Sequence, residues 1–219
     1  MAVSKGIRTV LLSVFLSVVL GSPLSATNWL DETFKYPYSA SISAVSDLTL
    51  ALCAVSPASF ALVAPASDWL EIGVGYSGTM LASYGTGSVL KSIFERERPY
   101  VSLGGGPSDA SDDYESFPSR HTLMAFSSAA YTQALFMRKY PDSPYRKAVT
   151  TTTWALSATT AVLRVVSGNH YVSDVLVGAA IGSALGFAGP YLTSLLFKDK
   201  ENSPQLYIGP TVVAMRVEM

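Results

Sequence analysis

Charge is what this chain has least of. Asp, Glu, Lys and Arg make up 14% of its 219 residues, against roughly 25% in an ordinary soluble domain. The net charge is -1, so there is no basic field to gather nucleic acid, and none is expected as a partner. Cys53 is the single cysteine. That excludes an intramolecular disulfide and a thiolate-rich zinc site, and it leaves the redox compartment unmarked. Histidine occurs only at His121 and His170. With no acidic pair or histidine-rich cluster offering a metal site, no metal and no cofactor are expected. The run Gly104-Gly105-Gly106 lacks the Gly-Lys-Ser/Thr that would make it a phosphate loop. Asp109, Asp112, Asp113 and Glu115 lack calcium-site spacing and read as a solvated loop. There is no internal repeat and no low-complexity linker.

Apolar residues are abundant instead: 49% of the chain, with a mean hydropathy of +0.31. They fall into uncharged runs at 48–67, 72–90, 122–137, 148–163 and 175–197, near or a little under the roughly 20 residues a helix needs to cross a bilayer. The expected fold is all-α: a membrane-embedded bundle of five or six helices with a short extended or hairpin C-terminal tail around Gly209-Pro210. Lys5 and Arg8, the apolar stretch Val10 to Leu20 and the small residues up to Ala26 form a signal peptide or an uncleaved first transmembrane helix. The expected organisation is therefore 1–26 as that targeting segment, 27–200 as one helical domain and 201–219 as the tail. Gly178, Gly182 and Gly186 recur every fourth residue, which puts them on one helix face for close packing, and Pro190 is expected to end or kink that helix. Arg138, Lys139, Arg146 and Lys147 flank one connection, and Lys198 and Lys200 follow the last helix. The positive-inside rule puts these ends in the cytoplasm and the junctions 91–121 and 164–174 on the outer side.

Those two junctions hold the polar residues. Lys91 and Arg98 stand seven apart before Pro99, a spacing that predicts one shared helix face closed by the proline. Ser119 is a good N-cap for the helix that follows, and His121 then falls in a first turn whose free N–H groups suit an anion. His170 and Asp174 are spaced i, i+4, as for a contact across one helix face, and Arg164 lies just upstream. Each cluster alone is equally an ordinary helix end. Up-down connectivity, however, brings all three to the same end of a bundle. Three cations gathered there need a compensating anion, and phosphate fits, since it accepts several charge-assisted hydrogen bonds.

Together the clusters resemble the signature of the type 2 phosphatidic acid phosphatase superfamily: Lys91, six residues, Arg98-Pro99; Pro118-Ser119-Arg120-His121; and Arg164, five residues, His170, three residues, Asp174. The resemblance spans the core from about Leu48 to Phe197. It implies a phosphatase in which His170 attacks phosphorus and becomes a phosphohistidine, Asp174 orients it, and His121 protonates the leaving oxygen and then activates water. Lys91, Arg98, Ser119 and Arg164, with Arg120 beside them, would bind the phosphate without a metal. The implied substrate is a lipid phosphate or pyrophosphate, and the implied place is the outer (periplasmic or extracellular) side of the cytoplasmic membrane. Alternatives are a soluble periplasmic or secreted acid phosphatase acting on small phosphomonoesters, and an inactive membrane scaffold. Vanadium haloperoxidases share the constellation, but this chain is short for one. Two positions depart from the pattern: Arg120 replaces a glycine whose N–H helps hold phosphate, and Leu163 replaces a serine.

Overall fold

The computed structural model describes residues 29–109, 111–197, 205–208 and 213–216. The expected targeting segment 1–26, and Lys198 and Lys200, lie outside the described residues. The chain opens with a short helix α1 (Trp29–Thr33), followed by α2 (Ala40–Ala54) and two 3-10 segments, Ser56–Leu62 and Ala66–Asp68. Then come α3 (Trp69–Phe94), the one-turn α4 (Pro99–Ser102), α5 (Arg120–Lys139), α6 (Arg146–Val166) and α7 (Val172–Leu196). Strands β1 (Gln205–Ile208) and β2 (Val213–Arg216) pair antiparallel, with Gln205 opposite Arg216, which is the expected hairpin tail. The all-α bundle is thus built on α2, α3, α5, α6 and α7.

Helix α5 is the axis: α2, α3, α6 and α7 all pack against it. Its backbone at Ser119, Leu123 and Ser127 faces α7, and α7 answers with the glycine row. A Cβ at Gly178, Gly182 or Gly186 would strike the carbonyl oxygens of Ser119, Leu123 and Ser127 respectively. Hydroxyls close many of the helix contacts. Ser83 Oγ and Ser127 Oγ are 2.7 Å apart, Ser157 Oγ donates to the Ala125 carbonyl at 2.8 Å, and Thr160 Oγ1 to Thr49 Oγ1 at 2.8 Å. A compact apolar cluster of Phe60, Ile72, Tyr131, Leu135 and Phe136 fills the other end of the bundle. Meanwhile Leu48, Leu52, Leu81, Ile93, Leu176, Leu192 and Leu195 face outward. Two stretches, Ala40–Leu62 and Val172–Leu196, are long and apolar enough to cross a bilayer.

Three local expectations are corrected. The first long helix begins at Ala40 and gives way to 3-10 geometry at Ser56, rather than covering 48–67. Asp47 interrupts the uncharged run but lies within this helix, while Pro57, at the first turn of the 3-10 segment, cannot donate to a continuing α-helix. Of the two outcomes expected at Pro190, a helix end does not occur, and α7 continues to Leu196; the proline only withholds one N–H from the carbonyl four residues earlier, and the turns on either side carry the helix on. Lys91 and Arg98 do not share a helix face. Helix α3 stops at Phe94, Glu95 turns left-handed (φ 41°), and Pro99 opens α4 at its first position instead of closing α3.

The close approach of α5 and α7 is testable. Gly182→Val should lower stability by about 1–3 kcal/mol, the usual cost of overpacking. Gly85→Ala, on α3 where a Cβ meets nothing within 4 Å, should be neutral or raise it by about 0.5–1 kcal/mol. Thermal melts in detergent decide both.

Candidate active site

The site forms at one end of the bundle, where α3 ends, α5 begins, α6 ends and α7 begins. Ser119 is the N-cap of α5: its Oγ accepts from Thr122 N–H at 3.4 Å and from Thr122 Oγ1 at 3.0 Å. Its own N–H donates to the Asp174 carbonyl at 3.1 Å, which pins the start of α5 to the start of α7. His121 therefore stands in the first turn of α5, as expected.

His170 lies in the turn between α6 and α7, not on a helix face with Asp174. Gly168, at φ +73°, makes that turn; a Cβ there would run into the Tyr36 and Pro37 backbone. His170 N–H then donates to the Arg164 carbonyl at 3.1 Å. The imidazole is buried, and Nδ1 lies 2.7 Å from the Ser116 carbonyl but 3.6 Å from Asp174 Oδ2. A carbonyl can only accept, so Nδ1 carries the proton and Nε2 keeps its lone pair. Burial, followed by the positive charges of Arg98, Arg164 and Lys91, holds the His170 pKa well below the ordinary imidazole value. The ring is neutral at physiological pH. Asp174 is also buried and is held elsewhere: Oδ2 accepts from Ser116 Oγ at 2.5 Å and from Tyr171 N–H at 2.9 Å. The expected direct imidazole–carboxylate hydrogen bond is replaced by one that runs through Ser116.

The cations converge as the connectivity predicts. Lys91, Arg98 and Arg164 are all buried. Lys91 Nζ donates to the Glu115 carbonyl. Arg98 Nε donates to the Asp112 carbonyl at 2.8 Å, and its NH1 to Asn169 Oδ1 at 3.1 Å. Arg164 NH1 donates to Ser43 and Ser46 Oγ, each at 3.2 Å, while its buried Nε has no hydrogen-bond partner among the described residues. Arg120 goes another way. Its stem lies along Gly87, its guanidinium sits 4.6 Å from the Tyr84 ring, and NH1 donates to Ser88 Oγ at 3.2 Å.

Several partners escaped the sequence reading. Asp47, on α2, places Oδ1 2.9 Å from His121 Nε2 and 3.5 Å from Arg164 NH1. Its signal was present: a lone carboxylate in an otherwise apolar helix. Ser116, Asn169, Arg96 and Asp31 gave no such signal. Among the described residues, no group of three or more His, Cys, Asp or Glu side chains is placed to hold a metal.

The family model described as PAP2 superfamily matches residues 72–198. A lipid A 1-phosphatase of Porphyromonas gingivalis is 35% identical over 85 residues, a segment covering 38% of this chain and 18% of that protein. A solved structure, the transmembrane PAP2-type phosphatidylglycerolphosphate phosphatase of Bacillus subtilis, is 21% identical, with 90% of this chain and 88% of that one covered and a TM-score of 0.45.

An anion cradle built this way should bind inorganic phosphate. Calorimetry should show binding by the wild-type protein and about 10–100-fold weaker binding by Arg164→Gln, the loss expected for one buried charge-assisted contact.

Proposed function

Because this chain belongs to the PAP2 superfamily, we propose that it is a lipid phosphate phosphatase that works through a phosphohistidine on His170 and needs no metal. The observation that carries this reading is Arg164 Nε. A buried guanidinium N–H without an acceptor costs about 1–3 kcal/mol, and here it stands near a neutral imidazole with a free Nε2 and two further buried cations. A phosphoryl group supplies the missing acceptors. Lys91, Arg98 and Arg164 take its charge, and the start of α5, capped by Ser119, offers backbone N–H groups.

In this scheme Nε2 of His170 forms the N–P bond as the bond from phosphorus to the leaving oxygen breaks. The positive charge that appears on the ring is stabilised by Asp174 at 3.6 Å and by the Nδ1–H bond to Ser116. Burial and the neighbouring cations disfavour a charged His121 before substrate binds; in this scheme the bound phosphoryl anion offsets those cations, His121 is then an imidazolium held by Asp47, and it gives one proton to the leaving oxygen. It then takes a proton from the water that attacks phosphorus, which breaks the N–P bond and restores neutral His170. Arg120, turned toward Tyr84 and Ser88, contributes its backbone rather than its side chain.

The outward-facing leucines and the hydroxyl-lined interior support a membrane setting and hence a lipid substrate. Arg138, Lys139 and Arg146 lie at the end of the bundle opposite the site. The positive-inside rule then supports the outer side of the membrane for the catalytic end.

A phosphate-release screen over lipid and soluble phosphates tests this. Release from lipid phosphates, unchanged by EDTA and abolished by His170→Ala, is expected; strong EDTA inhibition or turnover of soluble esters alone would overturn it. Asp47→Asn should lower kcat about 10–100-fold, as for the loss of a contact that supports a catalytic group. Since neutral His170 is the reactive form and its pKa is held well below the usual value, its ionisation should not reduce kcat/KM between about pH 7 and 5.5, just below the ordinary imidazole value. This is read after allowing for the substrate's own second ionisation.

A further inference from the structure

Arg96 lies in the turn between Lys91 and Arg98 but makes a different set of contacts. It is buried, and two buried carboxylates take its guanidinium: NH1 donates to Asp174 Oδ1 at 2.6 Å and NH2 to Asp31 Oδ2 at 2.8 Å. The guanidinium carbon sits 4.2 Å from the centre of the Tyr171 ring, and NH1 also reaches Ser173 Oγ at 2.7 Å. Asp31 comes from the short helix α1. It accepts from Ser173 N–H at 2.9 Å and from Ser173 Oγ at 2.7 Å, so the same carboxylate that holds Arg96 also holds the first turn of α7. The backbone of Arg96 is equally engaged, since its carbonyl accepts from Ser116 N–H at 2.9 Å.

Both groups that fix His170 therefore lead back to residue 96. Ser116, whose carbonyl takes the Nδ1 proton, hangs from its backbone. Asp174, which holds Ser116 Oγ and faces the imidazole at 3.6 Å, hangs from its side chain. We propose that Arg96, clamped by Asp31, is a positioning residue for His170: it holds Asp174 and Ser116 so that the imidazole keeps its proton on Nδ1 and presents Nε2. This rests on the phosphohistidine reading above.

The physical case is one of geometry and charge. A carboxylate has two oxygens, and Arg96 occupies Oδ1 of Asp174. Oδ2 is then left to Ser116 and Tyr171 instead of swinging onto Nδ1. Burial works against the charge on Arg96, but Asp174 and Asp31 outweigh it and hold its pKa above the ordinary guanidinium value. A buried triad of this kind is a poor source of stability compared with apolar packing. Its use is to fix orientation, and in a chain with 14% charged residues it is placed against the reactive ring.

The two histidines make the test direct. In full-length protein labelled with 15N-histidine, in detergent or nanodiscs, His170→Gln assigns the two imidazoles. Wild-type His170 should show the single Nδ1–H tautomer. In Arg96→Lys and Asp31→Asn the two tautomers should mix. At the same time kcat should fall about 10–100-fold, within the range seen when supporting contacts of a catalytic group are lost, while KM changes little. Arg96→Lys should keep more activity than Arg96→Gln, which leaves two carboxylates buried together and is the variant most prone to unfold. Asp31→Asn leaves Asp174 a counter-ion but removes the charge that clamps Arg96 in place, so it folds more readily and decides the matter if the Arg96 variants do not fold. A single unchanged tautomer in folded Asp31→Asn, whether or not kcat falls, would overturn the proposal. If wild-type protein releases no phosphate from any substrate, the phosphatase reading fails, and the tautomer measurement still decides the positioning role.

Discussion

Four buried cations at one end of a sparsely charged bundle are the constraint around which this structure is arranged. Lys91, Arg96, Arg98 and Arg164 are each almost wholly withdrawn from solvent, where an ion carries a desolvation penalty of several kcal/mol. The fold offsets that penalty unevenly. Arg96 receives two buried carboxylates. Lys91 and Arg98 are met mainly by backbone carbonyls of the loop before α5. Arg164 is met by hydroxyls and by a carboxylate, Asp47, that is half in solvent. Only the first of these is full neutralisation. Burial, with the remaining excess of positive charge around it, keeps the His170 ring neutral, and that excess leaves a demand for negative charge beside it.

The rest of the molecule follows from holding that end rigid. Helices meeting through glycine and hydroxyl contacts approach closely and have few rotamers to exchange, so the ends of α3, α5, α6 and α7 keep fixed relative positions. The backbone bond from Ser119 N–H to the Asp174 carbonyl joins two of those ends directly, and the glycine row of α7 begins one turn below it. The opposite end is secured differently, by Lys139 against Glu71 and Asp68 and by Tyr140 on Asp68. There a cation, Lys139, is met directly by side-chain carboxylates at the surface of the bundle.

What the sequence discloses about this site is what side-chain identity and helix connectivity can carry. Lys91, Arg98, His121, Arg164, His170 and Asp174 were legible because they stand at the ends of apolar runs, and an up-down bundle must bring those ends together. The local geometry was less legible. A seven-residue spacing suggested one helix for Lys91 and Arg98, yet Glu95 breaks it in a left-handed turn no glycine announces. An i, i+4 spacing suggested a helical contact for His170 and Asp174, yet α7 starts only at Val172. Asp47 was hidden, because a single charge inside a helix ends the apolar run by which the helix is recognised, although Asp47 lies within α2. Ser116 acts partly through its carbonyl, which no side-chain pattern encodes. Asp31 and Arg96 meet across 65 residues, a pairing only the fold makes visible.

Arg120 shows how a departure from a family pattern is absorbed. The concern at this position is backbone freedom: a glycine can adopt positive φ, whereas an arginine does so only at a cost. Among the described residues, positive φ occurs at Glu95, Gly104 and Gly168 and not at Arg120, which is already the first residue of α5. Its N–H therefore keeps the direction that a helix N-terminus gives any residue, and glycine's freedom is not needed. What remains is to dispose of a long cation beside three others. Gly87 provides the room, since a side chain there would press on the Arg120 stem. Tyr84 provides a face for the guanidinium, and Ser88 an acceptor. All three lie on α3, about one to two turns below Lys91, so the extra charge is led away from the crowded end. The substitution at 120 is thus legible only together with the residues at 84, 87 and 88, which keep the α5 backbone in place and turn the arginine side chain away from Lys91, Arg98 and Arg164.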